Sequence, residues 1–439
     1  MHTSNMSRNY FLVGFSFLIT VCIIFYLFNM HKSTSKTQPK TWNAEIKFSS
    51  NHSLYFQLKT KSNDERPSEI SELSILNGDE SIKLQYTGFD EENKIRIWQF
   101  PFQSELHLNQ GNKTGYFIKS ETGESFPFNA KPSYTGLDNK ERSNRFPFKK
   151  LDIPSSKIEY ELSNRFALTM KSNSENPKFA IGEFYIDSNS NEYRGSILTE
   201  TGDYRYLAGN RYGNELYLST FDGVHGYTFN IHINEDGSIS GQHYSGSNYS
   251  EQFEGVPDSL GALRNPYFIT SPGKDASISL KLPEYETGII KTILTGKGKV
   301  TLIQIMGSWC PNCLDESIFF KELSAYENLE IYALAFERSS DRKSSISAIK
   351  RVVDYLDLPY PVLFAGKAEK GAVERLLPIK DFISYPTYLL YDKEGGLVEI
   401  HAGFSGPATR GYKEFTQKTH HKIQNLLNQK FVQTSNVKK

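Results

Sequence analysis

Cysteine is nearly absent from this chain, with three residues among 439. So few thiols exclude a small scaffold stapled by many disulfides, and no second cysteine pair exists to complete a zinc knuckle. Histidine does not fill that gap. His225, His232, His243 and His401 show no ligand spacing, so no metal and no cofactor is expected. An excess of charge is also missing: 50 basic residues face 50 acidic ones, which excludes a nucleic-acid partner held by bulk electrostatics. Helical periodicity is almost missing between Trp42 and about Thr270. The length exceeds what one compact core supplies, so a multidomain chain is expected.

What is present centres on Trp309-Cys310-Pro311-Asn312-Cys313. An apolar run from Val300 to Met306 precedes it and reads as a buried strand. After Cys313 the pattern turns helical, with Leu314 and Ile318, then Phe319 and Leu323, at i, i+4 spacing. Cys310 therefore sits where a strand ends and a helix begins. Unpaired N–H groups and the positive end of the helix dipole favour a thiolate there. Cys313 follows one turn later, on the same face and within disulfide reach. A purely structural disulfide gains little from so short a loop. The pair reads as a dithiol that cycles between oxidised and reduced forms.

Tyr10 to Phe28 carries no charge and is interrupted only by Gly14, Ser16 and Thr20. It is long enough to span a bilayer and lacks the small-residue end of a cleaved signal peptide. Cys22 reads as a small buried hydrophobe, because Val21 is not small and the apolar run continues past it. The expected order is a tail 1–9, a transmembrane signal anchor 10–29 and a tether 30–41. Flanking charges, Arg8 against His31, Lys32, Lys36 and Lys40, do not set the orientation, but long domains translocate regardless of them. The body is expected outside the cytoplasm, in the periplasm or cell envelope.

Residues 42–272 read as all-β, a sandwich or barrel. Leu54, Phe56 and Leu58 alternate, as do Ile95 and Ile97, Leu216 and Leu218, and Tyr227, Phe229, Ile231 and Ile233. Asn77-Gly78, Thr122-Gly123, Asp222-Gly223 and Asp236-Gly237 supply turns. A basic, Pro-containing stretch, Asn139 to Lys157, is a candidate divide between two β units. Glu200 to Tyr206 and His243 to Gly246 are rich in aromatic and polar groups. They read either as a binding face or as ordinary half-exposed strands.

From about Pro272 strands and helices alternate. Strands are expected at Val300–Met306, Ile331–Phe336, Pro361–Phe364, Thr387–Tyr391 and Leu397–Ala402, with helices at Asn312–Asn328, Ser344–Leu356, Glu369–Leu377 and Thr409–Leu427. The cysteine motif, Glu316 three positions on, Tyr385-Pro386-Thr387 before a hairpin at Asp392–Gly396, and Gly403 after it carry a resemblance. Residues 273–430 resemble the thioredoxin superfamily, specifically the membrane-anchored thiol–disulfide proteins of the TlpA/ResA kind; residues 431–439 form a tail. The resemblance implies an α/β thioredoxin-like domain with Cys310 as attacking thiol and Cys313 as resolving thiol. Pro386 would be the cis-proline beside them, flanked by Tyr385 and Thr387, or else a turn proline opening an edge strand. Trp309 would pack beside the dithiol. Gln304 stands where thioredoxins hold a buried acid, which leaves Glu316 as a base or as a solvated helix residue. Pro-Asn between the cysteines departs from the usual dipeptide, and Ile318 replaces a frequent proline. Substrates would be protein thiols and disulfides, with a membrane or envelope electron-transfer partner. The other expectation is a non-catalytic envelope scaffold using the same fold.

Overall fold

The computed structural model describes residues 40–431, except 63–68, 103, 110, 112, 121, 134–158, 189, 191 and 274–276. The expected anchor 10–29, the tails, Cys22, most of the tether and the stretch 139–157 lie outside the described residues. Among the described residues no helix is long and apolar enough to cross a membrane.

Two β barrels come first. In the first, β1 (Lys40–Lys47), β2 (Ser53–Ser62), β3 (Ile70–Asn77), β4 (Glu80–Asp90), β5 (Ile95–Gln99), β6 (Ser104–Asn109), β7 (Thr114–Lys119) and β8 (Ser125–Pro132) pair antiparallel in sequence order. Pairing of β8 with β1 closes the ring and leaves no free edge. Period-two alternation directs Leu54, Phe56 and Leu58 inward, each almost fully buried. Ile95 and Ile97 are only half-buried, because β5 turns Trp98, from the other face, into the core. Two apolar faces compete on that strand, and the larger ring takes the interior.

The second barrel contains β9 (Arg165–Met170), β10 (Lys178–Ile186), β11 (Tyr193–Thr199), β12 (Gly202–Asp203), β13 (Leu207–Tyr212), β14 (Glu215–Phe221), β15 (Gly226–Ile233), β16 (Ile239–Ser245) and β17 (Tyr249–Pro257). It closes through β17–β9, β9–β10, β10–β11 and β11–β13 pairing, with the short β12 lying on β11. Phe229, Ile231 and Ile233 are fully buried, whereas Tyr227 at the barrel mouth is half-buried. Strand β14 is buried on both faces. Its outer face meets the first barrel, where the Ser219 hydroxyl donates to the Tyr55 carbonyl and the Phe221 ring enters the first barrel's core against Phe56, Phe100 and Phe117.

The carboxy-terminal region begins with β18 (Ser271–Pro272), then the hairpin β19 (Ser279–Pro283) and β20 (Ile290–Leu294). Its central sheet uses β21 (Val300–Met306), β22 (Leu329–Glu337), β23 (Val362–Lys367), β25 (Thr387–Tyr391) and β26 (Leu397–Ala402), while β24 (Ile379–Lys380) pairs with β18. The order is β23-β22-β21-β25-β26, with β21, β22 and β23 parallel and β25 and β26 antiparallel. Helices α1 (Pro311–Leu323), α2 (Arg342–Leu356), α3 (Ala372–Leu376) and α4 (Tyr412–Asn428) complete a thioredoxin-like domain. Strand β21 is buried along its whole length, as a central strand covered on both faces must be.

Helix α1 departs from its expected pattern. Leu314, Phe319 and Leu323 are buried, but Ile318 is 45% exposed while Asp315, Glu316 and Ser317 are buried. The sheet covers one side of α1, and the barrels cover much of another. Leu314 packs with Phe102 of the first barrel and with Val352 and Leu356 of α2. A helix enclosed from two sides buries polar residues too, provided each finds a partner.

Candidate active site

The end of β21 passes through Gly307 and Ser308 into α1. A side chain at Gly307 would collide with the Trp309 indole and the Phe336 carbonyl, so the tight approach requires glycine. Cys310 is the N-cap of α1, with extended backbone, and its sulfur accepts the Cys313 N–H at 3.2 Å. Pro311 occupies the first helical position, where no N–H is needed. Cys310 and Cys313 form a disulfide. Cys310 is 4% exposed and Cys313 fully buried.

Three groups of side chains surround the disulfide. Beneath it, the Gln304 amide donates to the Cys313 carbonyl at 3.2 Å and to Glu316 at 2.9 Å, and accepts from the Ser317 hydroxyl at 3.0 Å. Glu316 is fully buried, and one of its oxygens has no partner. Burial pushes its carboxyl up to about 8, against a smaller opposing pull from the Gln304 hydrogen bond. The expectation of a solvated Glu316 is thereby corrected: Glu316 faces the sheet, where Gln304 of β21 binds it, and Ile318 takes the solvent side of this turn.

Beside it, Trp309 donates its indole N–H to the Phe336 carbonyl at 3.0 Å and meets the Tyr385 ring edge-on. The Tyr385–Pro386 peptide is cis. Thr387 is buried, donates to the Ser384 carbonyl, and pairs with Ile305 of β21. The alternative of an edge strand after Pro386 is corrected as well, because β25 lies between β21 and β26. The fold thus brings Gln304, Trp309, Cys310, Cys313, Glu316, Tyr385 and Thr387 into one neighbourhood, with Pro386 inside the Tyr385–Thr387 segment.

Above it lies the second barrel. Asn312, between the two cysteines, donates towards the Asp203 carbonyl at 3.3 Å and the Phe404 carbonyl at 3.4 Å. Gly202 leaves just enough room, since an added Cβ would stand 3.1 Å from the Asn312 side chain. Two positions after Cys313, Asp315 holds Arg205 through paired hydrogen bonds of 2.9 and 2.8 Å. The same guanidinium reaches Glu80 of the first barrel and stands 3.7 Å from Asp222. One buried cation therefore ties three parts of the chain together. Asp203 is also buried, which raises its carboxyl to about 6 despite hydrogen bonds from Gly406 and Arg205.

Within the aromatic, polar segment Glu200–Tyr206, Asp203 and Arg205 are engaged by the chain's own thioredoxin-like domain, while Glu200–Tyr204 line a cavity together with His243, Ser245 and Asn312. The histidines considered as ligands each contact a carboxylate at a different place: His225 with Asp222, His232 with Glu215, His243 with Glu251. Sequence reasoning missed Glu337 and Asp315, and it read Asp203 and Arg205 only as part of the segment Glu200–Tyr206. Glu337 accepts from the Ser308 amide and hydroxyl at 2.9 and 2.6 Å, and burial lifts its carboxyl to about 7. A glutamate directly after the apolar run Ile331–Phe336 was its one local signal. Nothing local joined Arg205 to Asp315, which lies 110 residues away in sequence.

No protein-family model matches the chain. It is similar to the thioredoxin-like protein YneN of Bacillus subtilis, with 26% identity over 132 residues, covering 30% of this chain and 70% of that protein. Among solved structures, a putative thiol:disulfide interchange protein DsbE from Chlorobium tepidum matches at 19% identity, over 36% of this chain and 98% of the other, with a TM-score of 0.28. The exposed lipoprotein thioredoxin Etrx1 of Streptococcus pneumoniae matches at 22% identity over 34% of this chain and all of the other, with a TM-score of 0.25.

Proposed function

We propose that the chain is a membrane-tethered thiol–disulfide oxidoreductase of the TlpA/ResA kind, working as a reductase on disulfides of envelope proteins. The observation that carries this reading is the Cys310–Cys313 disulfide at the start of α1 with a buried, elevated carboxyl one turn further on. The similarity to a thioredoxin-like protein of Bacillus subtilis supports it. In the reduced chain the Cys310 thiolate attacks a substrate disulfide, forming a mixed disulfide and expelling one substrate thiolate. Cys313 then attacks Cys310, expelling the second substrate thiolate and closing the Cys310–Cys313 bond. Two electrons pass from the dithiol to the substrate, and a membrane or envelope dithiol partner restores them. Glu316, near 8, is matched to a thiol's ordinary value and takes the Cys313 proton; Gln304 holds both groups in place. Trp309 and Tyr385 line the approach, backed by the buried Pro386 and Thr387. Residues 10–29 anchor the body outside the cytoplasm.

One observation favours the other reading, a non-catalytic envelope scaffold: Cys310 is 4% exposed, and Asn312 is held under the second barrel. Changing Cys310 and Cys313 together to serine in the full chain separates the two. The oxidoreductase reading expects loss of peptide-disulfide reduction, with Cys313→Ser alone trapping a mixed disulfide on Cys310. Reduction at the unaltered rate in the double variant would overturn it.

A further inference from the structure

A cavity of about 350 Å³ opens beside the cysteine motif, where the two barrels and the thioredoxin-like domain meet. Trp309, the neighbour of Cys310, forms one wall; Phe102 and Val224 come from the barrels, and Ser344, Arg338 and Arg351 from the domain. Its charge balance is unusual. The Arg338 guanidinium lies 4.1 Å over the Trp309 ring and meets no carboxylate at ion-pairing distance among the described residues. Arg351 likewise has no ion pair among the described residues, and its Nε is buried without a partner. The one carboxylate in the wall, Glu337, already accepts from Ser308 through both oxygens. A third cation there, Lys119, is held by Glu124 and Ser247. Arg351 is half-buried and Arg338 exposed at the cavity rim, and the one carboxyl near them, Glu337, has both oxygens engaged by Ser308, so the two guanidiniums are placed to attract an incoming anion.

We propose that this cavity receives a carboxylate of the substrate, an acidic side chain close in sequence to the cysteine whose disulfide is exchanged. This rests on the oxidoreductase reading and adds the substrate class. Trp309 and Cys310 are adjacent, so their Cα atoms stand about 3.8 Å apart. A glutamate two or three residues from the substrate cysteine spans roughly 7–10 Å, the scale of the step from Cys310 past Trp309 to the Arg338 that covers it, in the cavity that Arg351 also lines. The planar guanidiniums take the carboxylate in forked hydrogen bonds, with Trp309 stacked behind one of them.

The test uses the reduced full chain and three peptide disulfides, identical except for Glu, Gln or Lys two positions from the cysteine. The Glu peptide should react about tenfold faster than the Gln peptide at low salt, and the Lys peptide slowest. Arg351→Gln with Arg338→Gln should bring the Glu peptide down to the Gln rate. Equal rates for the three peptides, or a Glu preference that survives in the double variant, would overturn the proposal. Succinate titrated against Trp309 fluorescence distinguishes the source of the carboxylate. Saturable succinate binding with no discrimination among peptides would assign the cavity to a free anion and overturn the substrate assignment. If none of the three peptides is reduced, the oxidoreductase reading falls and takes this proposal with it, whereas charge-blind reduction removes this proposal alone.

Discussion

The two barrels share one up-and-down strand order yet bury different polar side chains. In the first, the most deeply buried polar side chains are neutral, Asn43, Gln57, Thr60, Asn77 and Ser104, and Glu80, slightly more exposed, pairs with Arg205 of the second barrel. The second buries Glu183, Glu192, Asp203, Arg205 and Asp222, and it is the one that presses on Asn312 between the cysteines. Barrel closure is satisfied by strand pairing and an alternating apolar face, and both sequences meet that requirement. What a barrel then does is set by the charges it can afford to bury. The first acts as a packed support, completed by Phe221 from its neighbour. The second acts as an electrostatic coupling between that support and the cysteine helix, through Arg205.

This difference can be broken from either side. Phe56→Ala should destabilise the chain by about 4 kcal/mol, because it empties a fully buried aromatic site. The loss should be the same at pH 5 and pH 8 in urea unfolding, since no charge is involved. Arg205→Met should cost about 3 kcal/mol at pH 8, by leaving Glu80, Asp222 and Asp315 buried without their cation. That cost should shrink by about half at pH 5. Removing the cation raises the folded-state values of Glu80 and Asp222, so the stability they contribute is present in acid and is lost as pH rises through those values. A pH-independent cost would mean that Arg205 acts by packing alone.

The smallest effect concerns the helix that the second barrel covers. Glu316 ordinarily titrates near 4.5 and is raised to about 8 in the folded chain. Between those values the unfolded chain releases the proton and the folded chain keeps it, so stability falls as pH rises. Across about pH 5.5 to 7 its share is roughly 2 kcal/mol. Glu316→Gln should flatten that slope in urea titrations at several pH values. An unchanged slope would move the titration to Glu337 or Asp203, the other buried carboxyls raised into this range.

Local signals carried much of the reading. A strand buried on both faces has to be apolar throughout, so Val300–Met306 was visible as β21. Cysteines three apart at a strand–helix junction imply one helical turn between them, and the disulfide follows. Alternation in Leu54–Leu58 and Phe229–Ile233 identified inward faces, since period two is a property of the strand itself. Ile95 and Ile97 misled because periodicity alone does not rank two apolar faces. Glu316 was ambiguous for a related reason, as a glutamate on a helix is solvated unless something else covers it.

The sequence by itself thus determined the elements and the reactive pair, because strand and helix periods, turn residues and N-caps act over a few residues. Only the tertiary structure decided how buried the pair is, which carboxyls are raised, and what Arg205 binds. Those depend on surfaces from residues 80, 205, 222 and 315 meeting in space. Burial and Coulomb interaction act over distance in space, whatever the separation along the chain.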